Sequence, residues 1–204
     1  IKHVRFGKWM AATTIVFTLS TIVYIPLIAW IRGPVEAGFF RLLQTLTMPA
    51  NQINAALSLA FLPRLTKMTL NEKIFLYKKI FRIFIILPFL YVVIFSFISD
   101  IVFNFLGYKE ESTSYQFIVL VFGFAVVSEA GYQAISLFIN SMKLAKPLFV
   151  ARFISVVFMI IIGIPLIIFA NYGYVMAYSI SSCVCFLTIY LEKKRLLNDK
   201  SYNY

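Results

Sequence analysis

Apolar residues along the chain come in long unbroken runs separated by short polar or basic stretches, and not at the 3.6-residue spacing of a water-exposed helix. A helix crossing a bilayer needs about 20 mostly apolar residues, each adding about 1.5 Å across a hydrocarbon core of about 30 Å. Six runs qualify, at 10–31, 38–62, 80–98, 115–139, 148–170 and 174–191. The pattern therefore predicts an all-α membrane protein, a single six-transmembrane-helix bundle over residues 1–204. The first run is too long for a signal-peptide core and no small-residue cleavage site follows it, so it is read as a retained span. Trp9 and Trp30 bracket that run at roughly 32 Å of helix, a separation suited to an aromatic belt at both interfaces. Segment 99–107 (SDIVFNFLG) is short, apolar and closed by glycine, and is expected to form a small interfacial helix. Asn171-Tyr172-Gly173 is a tight turn that should fold the last two spans into a hairpin. Pro26, Pro49, Pro88 and Pro165 lie inside runs. Each removes a backbone donor, which fits either bent helices around a cavity or a kinked closed bundle.

Composition supports the membrane class. Of 204 residues, 61% are hydrophobic and 13% charged, with a net charge of +11. In a soluble protein that charge would suggest nucleic acid. Here the cations sit in clusters between apolar runs, so no nucleic-acid partner is expected and the lipid bilayer is. Lys2, Arg5 and Lys8 precede the first run. Arg64, Lys67, Lys73, Lys78, Lys79 and Arg82 fill the second connection, Lys143, Lys146 and Arg152 the fourth, and Lys193, Lys194, Arg195 and Lys200 the tail. The opposite side holds only Arg32, Arg41 and Lys109. Cytoplasmic loops carry the Lys/Arg excess, so both termini are expected in the cytoplasm. The clusters are read as orientation signals and contacts for anionic lipid.

Polar residues inside the runs are the candidates for chemistry. Arg41, Gln44, Thr45, Asn51, Gln52 and Ser58 fall on one face of the second run. Lipid cannot satisfy such a stripe, which must meet protein or water. It lines a hydrophilic cavity or supplies polar contacts between helices, and six groups exceed what packing needs. Arg41, near the outer end, suits a phosphate or carboxylate through its planar fork, or snorkels to headgroups. In the fourth run, Glu129, Gln133, Ser136 and Asn140 share a face, with Ser128 beside it. Glu129 is the one acid well inside a span. It pairs with a cation, takes part in proton coupling, or bonds a neighbouring helix. Ala56 with Ala60, and Ala130 with Ala134, have the spacing of close helix contacts. Cys183 and Cys185 lack the partners of a disulfide framework or zinc site, and the lone His3 reads as an interfacial residue. No metal or other cofactor is expected. The phosphate-binding glycine loop, HExxH and the nucleophile elbow do not occur, so ATP-driven chemistry on this chain is not expected, nor is an enzyme.

The second run and its exit, GPVEAGFFRLLQTLTMPANQINAALSLAFLPRLTKM, resemble the polysaccharide (oligosaccharide) flippases of Wzx type, within the multidrug/oligosaccharidyl-lipid/polysaccharide exporter superfamily. The matching features are Gly38, Arg41, Gln44 and the exit Leu62-Pro63-Arg64. SDIVFNFLGYKEESTSYQFIVL and NYGYVMAYSIS are similar to later parts of such proteins. The resemblance covers the second half of a transporter built from two six-helix bundles. It implies a missing N-terminal bundle of the same transporter as partner, and the bacterial cytoplasmic (inner) membrane as location. It also implies alternating-access movement of an undecaprenyl-pyrophosphate-linked oligosaccharide for surface polysaccharide such as O-antigen or exopolysaccharide. Arg41, Gln44, Asn51, Gln52, Glu129 and Gln133 would then line the substrate cavity, with Arg41 at the diphosphate or an acidic sugar. A cation-coupled multidrug exporter of the same superfamily is the alternative, and a membrane enzyme of envelope synthesis a remote one. The enzyme would need clustered acids, and those present (Glu36, Asp100, Glu110, Glu111) are scattered on the outer side.

Overall fold

A computed structural model describes residues 2–107 and 115–198, with side chains from residue 6 onward. Expectations for the side chains of Lys2, His3 and Arg5, and for Lys109, Glu110, Glu111 and Lys200, fall outside these residues. The described chain is helical between short turns: α1 (Lys2–Arg32), α2 (Pro34–Lys67), α3 (Leu70–Phe105), α4 (Tyr115–Ser141), α5 (Lys146–Phe158), α6 (Ile164–Phe169) and α7 (Gly173–Asn198). A π-helical turn, Met159–Gly163, joins α5 to α6 in one bent rod. Five rods are long and apolar enough to cross a membrane: Phe6–Arg32, Leu70–Phe105, Tyr115–Ser141, Lys146–Phe169 and Gly173–Asn198. The chain is thus a multi-pass membrane protein by its helices. α2 is as long as its neighbours but too polar to join that set.

The turns are written in local chemistry. Gly33 takes φ 100 and Pro34 opens α2 at its first position, where a proline gives up no helical hydrogen bond. Thr69 and Glu72 form a capping box at the start of α3, filling donors the first turn leaves open. Between α6 and α7, Tyr172 takes φ 55, and a Cβ on Gly173 would stand 1.8 Å from the Leu166 carbonyl oxygen. The expected hairpin at 171–173 is therefore present and needs its glycine. α3 departs from expectation. It runs unbroken through Phe105, so 99–107 holds no separate interfacial helix. Between Pro88 and Gly107 no glycine or proline interrupts the backbone, Gly107 takes φ 84, and Phe103 is buried against Phe39 and Tyr115.

Contacts at the two ends fix an up-and-down arrangement. At one end Trp9 packs against Phe149, Lys73 reaches the Ser141 carbonyl, and Lys193 meets Tyr77. At the other, Phe39 packs with Phe103, Tyr115 and Tyr172. Successive rods therefore run in opposite directions. α4 lies at the centre, against α2, α3 and α7, and most of its residues are buried. Close approach explains this: a Cβ on Gly123 would meet Val92 at 2.2 Å, and one on Gly131 would meet Phe186 at 2.5 Å. Of the small-residue pairs, Ala130 and Ala134 are buried as close contacts, whereas Ala56 and Ala60 face outward. Trp30 is 84% exposed, as an interfacial anchor would be.

Candidate functional site

α4 presents Glu129, Gln133, Ser136 and Asn140 along one face, all partly exposed. The Glu129 carboxylate accepts two hydrogen bonds from Arg152 of α5, one of them 3.0 Å from Nη1 and the other from Nη2. The Arg152 guanidinium lies between two rings, 3.9 Å from the Tyr132 centroid and 4.7 Å from that of Phe17 in α1. Side-chain exposure is 12% for Arg152 and 17% for Glu129. Arg152 therefore does not belong to the basic loop set where its position near Lys146 suggested it. It stands about 9 Å up α5 from Lys146, too deep to reach water freely. An unpaired ion there costs several kcal/mol, so each charge stabilises the other while the ring faces satisfy the cation. The pair ties α1, α4 and α5 together and has no net charge. The sequence signal was present, since Arg152 lies inside the run 148–170, but its partner is a contact between helices that spacing does not reveal.

Hydroxyl and thiol groups continue this polar seam. Ser128 Oγ is 3.1 Å from Cys183 Sγ. Ser155 Oγ donates to the Ser181 carbonyl at 2.9 Å, joining α5 to α7. Both cysteines are free. Asn140 Nδ2 donates to Ser136 Oγ at 3.3 Å, while Asn140 Oδ1 is buried without a partner.

The α2 set is placed differently. Arg41, Thr45 and Gln52 are exposed on the outside of the bundle, and Gln44, Asn51 and Ser58 sit half-buried at its edge. Arg41 Nη1 donates to Gln44 Oε1 at 3.2 Å, and Thr45 Oγ1 donates to the Arg41 carbonyl at 2.9 Å. The Arg41 guanidinium keeps most of its donors open. Asn54, one turn below Asn51 and absent from the expected stripe, is completely buried. Neither of its amide atoms has a partner, nor does Asn51 Oδ1. Among the described residues no hydrogen bond joins the α2 set to the α4 set. The structure thus brings Glu129 to Arg152 and Arg41 to Gln44 but leaves two polar faces. One is open at the bundle surface on α2, and one is partly covered on α4. Among the described residues no cluster of His, Cys, Asp and Glu could hold a metal.

Comparison of the chain with protein-family profiles, with curated proteins and with solved structures finds no match.

Proposed function

We propose that this chain is one six-helix bundle of a two-bundle transporter that moves a lipid-linked oligosaccharide across the bacterial cytoplasmic membrane by alternating access. The observation that carries the reading is the outer face of α2. Arg41, Thr45 and Gln52 are exposed on a helix flanked by rods apolar enough to lie in lipid. Hydrocarbon satisfies none of these groups, so α2 is read as a sixth span whose polar face meets a hydrated cleft or a facing bundle. An open guanidinium on that face suits a diphosphate through two parallel hydrogen bonds. The exposed cations of the basic end, Arg64, Lys67, Lys78, Lys79 and Arg82, support a cytoplasmic location for that end. The sugar head would cross along the α2 face while its lipid tail stays in the bilayer. A cation-coupled drug exporter is the weaker reading, because the carboxylate it would use, Glu129, is already occupied by Arg152.

The test is complementation. The full-length parent protein, expressed in a strain lacking its polysaccharide flippase, is expected to restore surface polysaccharide. Arg41→Ala and Gln52→Leu at equal protein level are expected to lower it at least tenfold. Restored polysaccharide with both variants at wild-type level would remove the α2 face from the mechanism. Drug resistance without polysaccharide would replace the flippase by the exporter.

A further inference from the structure

The basic end of the bundle carries far more cations than it uses internally. Lys73 donates to the Ser141 carbonyl at 3.2 Å, where a cation meets the negative end of α4. Lys193 lies over the Tyr77 and Tyr190 rings at 4.8 and 4.5 Å. The acids at this end, among the described residues, are also occupied. Glu72 accepts from the Thr69 N–H and hydroxyl, and Glu192 stands 4.0 Å from Arg195. Lys78, Lys79 and Arg82 on α3 therefore have no counter-charge among the described residues, and all three are exposed.

Their position on α3 separates them from the other cations. Helical spacing puts Lys78, Lys79 and Arg82 on one face with Phe75 below them and Ile86, Phe89 and Phe97 above. Phe75 is 79% exposed and Phe89 54%. The row above Arg82 is apolar and faces away from the bundle, as a lipid-contacting surface does. The row at and below Arg82 is cationic with an aromatic at its edge. Arg82 lies one turn from Ile86, roughly 6 Å along the axis, which is the step from acyl chain to headgroup phosphate. The opposite face of the same segment, with Tyr77, Ile80 and Phe84, is buried in the bundle core, so the cations have no route inward.

We propose that this outward face of α3 is a binding site for one anionic phospholipid, with its phosphate held by Lys78, Lys79 and Arg82 and its acyl chain laid along Ile86 and Phe89. Arg82 supplies two parallel donors to the phosphate oxygens. The two lysines act as compact charges from either side. Phe75 covers the headgroup edge. The site needs only that α3 crosses the membrane, and it stands apart from the oligosaccharide reading. Failure of one leaves the other intact.

The purified full chain in neutral detergent is titrated with tail-labelled phosphatidylglycerol and, separately, with tail-labelled phosphatidylcholine. Phosphatidylglycerol is expected to bind more tightly. Loss of each surface cation should weaken it roughly fivefold, so K78Q/K79Q/R82Q together should weaken it about 100-fold. Because these side chains are exposed, the triple variant should keep the wild-type elution profile and thermal midpoint. K143Q/K194Q/R195Q, which removes three other exposed cations from the same end, should change binding less than threefold. Equal losses in the two triple variants would show a diffuse field and no site. Unchanged binding in K78Q/K79Q/R82Q would also overturn the proposal. Full displacement of the lipid by millimolar inorganic phosphate would overturn the lipid as occupant.

Discussion

Arg152→Met removes the cation from the α4–α5 pair while keeping an unbranched apolar stem of similar reach. Glu129, 17% exposed in the native pair, is then left with no partner for its two oxygens, and the rings of Tyr132 and Phe17 lose the guanidinium at 3.9 and 4.7 Å. Breaking a buried pair from one side costs about 3–5 kcal/mol, because an uncompensated charge is left behind. A loss of about 4 kcal/mol in a chain of this size corresponds to a thermal midpoint lower by roughly 10 °C on the soluble-protein scale. Glu129→Leu alone should cost a similar amount, by stranding Arg152. The double variant Glu129→Leu/Arg152→Met removes both ions and fills the space with hydrocarbon, and should return to within about 1 kcal/mol of wild type. The assay is thermal unfolding of the purified protein in lipid nanodiscs, followed by tryptophan fluorescence, since Trp9 of α1 packs 5.0 Å from Phe149 of α5. Additive losses in the double variant would refute the reasoning, for they would mean that the two side chains stabilise the bundle independently. A single-variant loss below about 1 kcal/mol would mean that the pair is hydrated and open.

Two further outcomes follow from the packing. Gly173→Ala puts a methyl group 1.8 Å from the Leu166 carbonyl oxygen. The obstacle is backbone, so the α6–α7 turn must shift. Lower yield of folded protein and a midpoint reduced by several degrees are expected in size-exclusion and thermal assays, and wild-type behaviour would show a looser hairpin. Asn54→Leu replaces a completely buried amide whose two polar atoms have no partner with a hydrocarbon side chain of the same branching and heavy-atom number. An unsatisfied buried polar group costs about 1–3 kcal/mol, so the variant should be as stable as wild type or more so. Marked destabilisation in the same nanodisc assay would show that Asn54 makes bonds through water.

Much of the bundle was legible in the residue order because lipid imposes simple rules. Every backbone N–H and C=O inside hydrocarbon must be satisfied within its own segment, so run length alone announces a helix. The five rods apolar enough to span fall where five of the six runs do. The hairpin at Asn171-Tyr172-Gly173 was readable because a glycine beside a short polar pair has few other uses. The end of α3 was not: residues 99–107 are equally at home at an interface or as further turns of the helix before them. The choice fell to the packing of Phe103 on Phe39 and Tyr115, residues from other elements.

Within the site the same division holds. Helical spacing put the members of each polar set on a common face, a property of one helix at a time. It could not say which faces turn inward. Tertiary packing placed Arg41 and Gln52 outside and closed Asn54 inside, one turn from Asn51. It also drew Arg152 out of a basic loop set and onto Glu129. Charge clustering is read along the chain, but ion pairing is a distance between helices. In a medium that solvates neither ion, that distance decides whether a charged residue orients the protein, holds it together, or waits for a ligand.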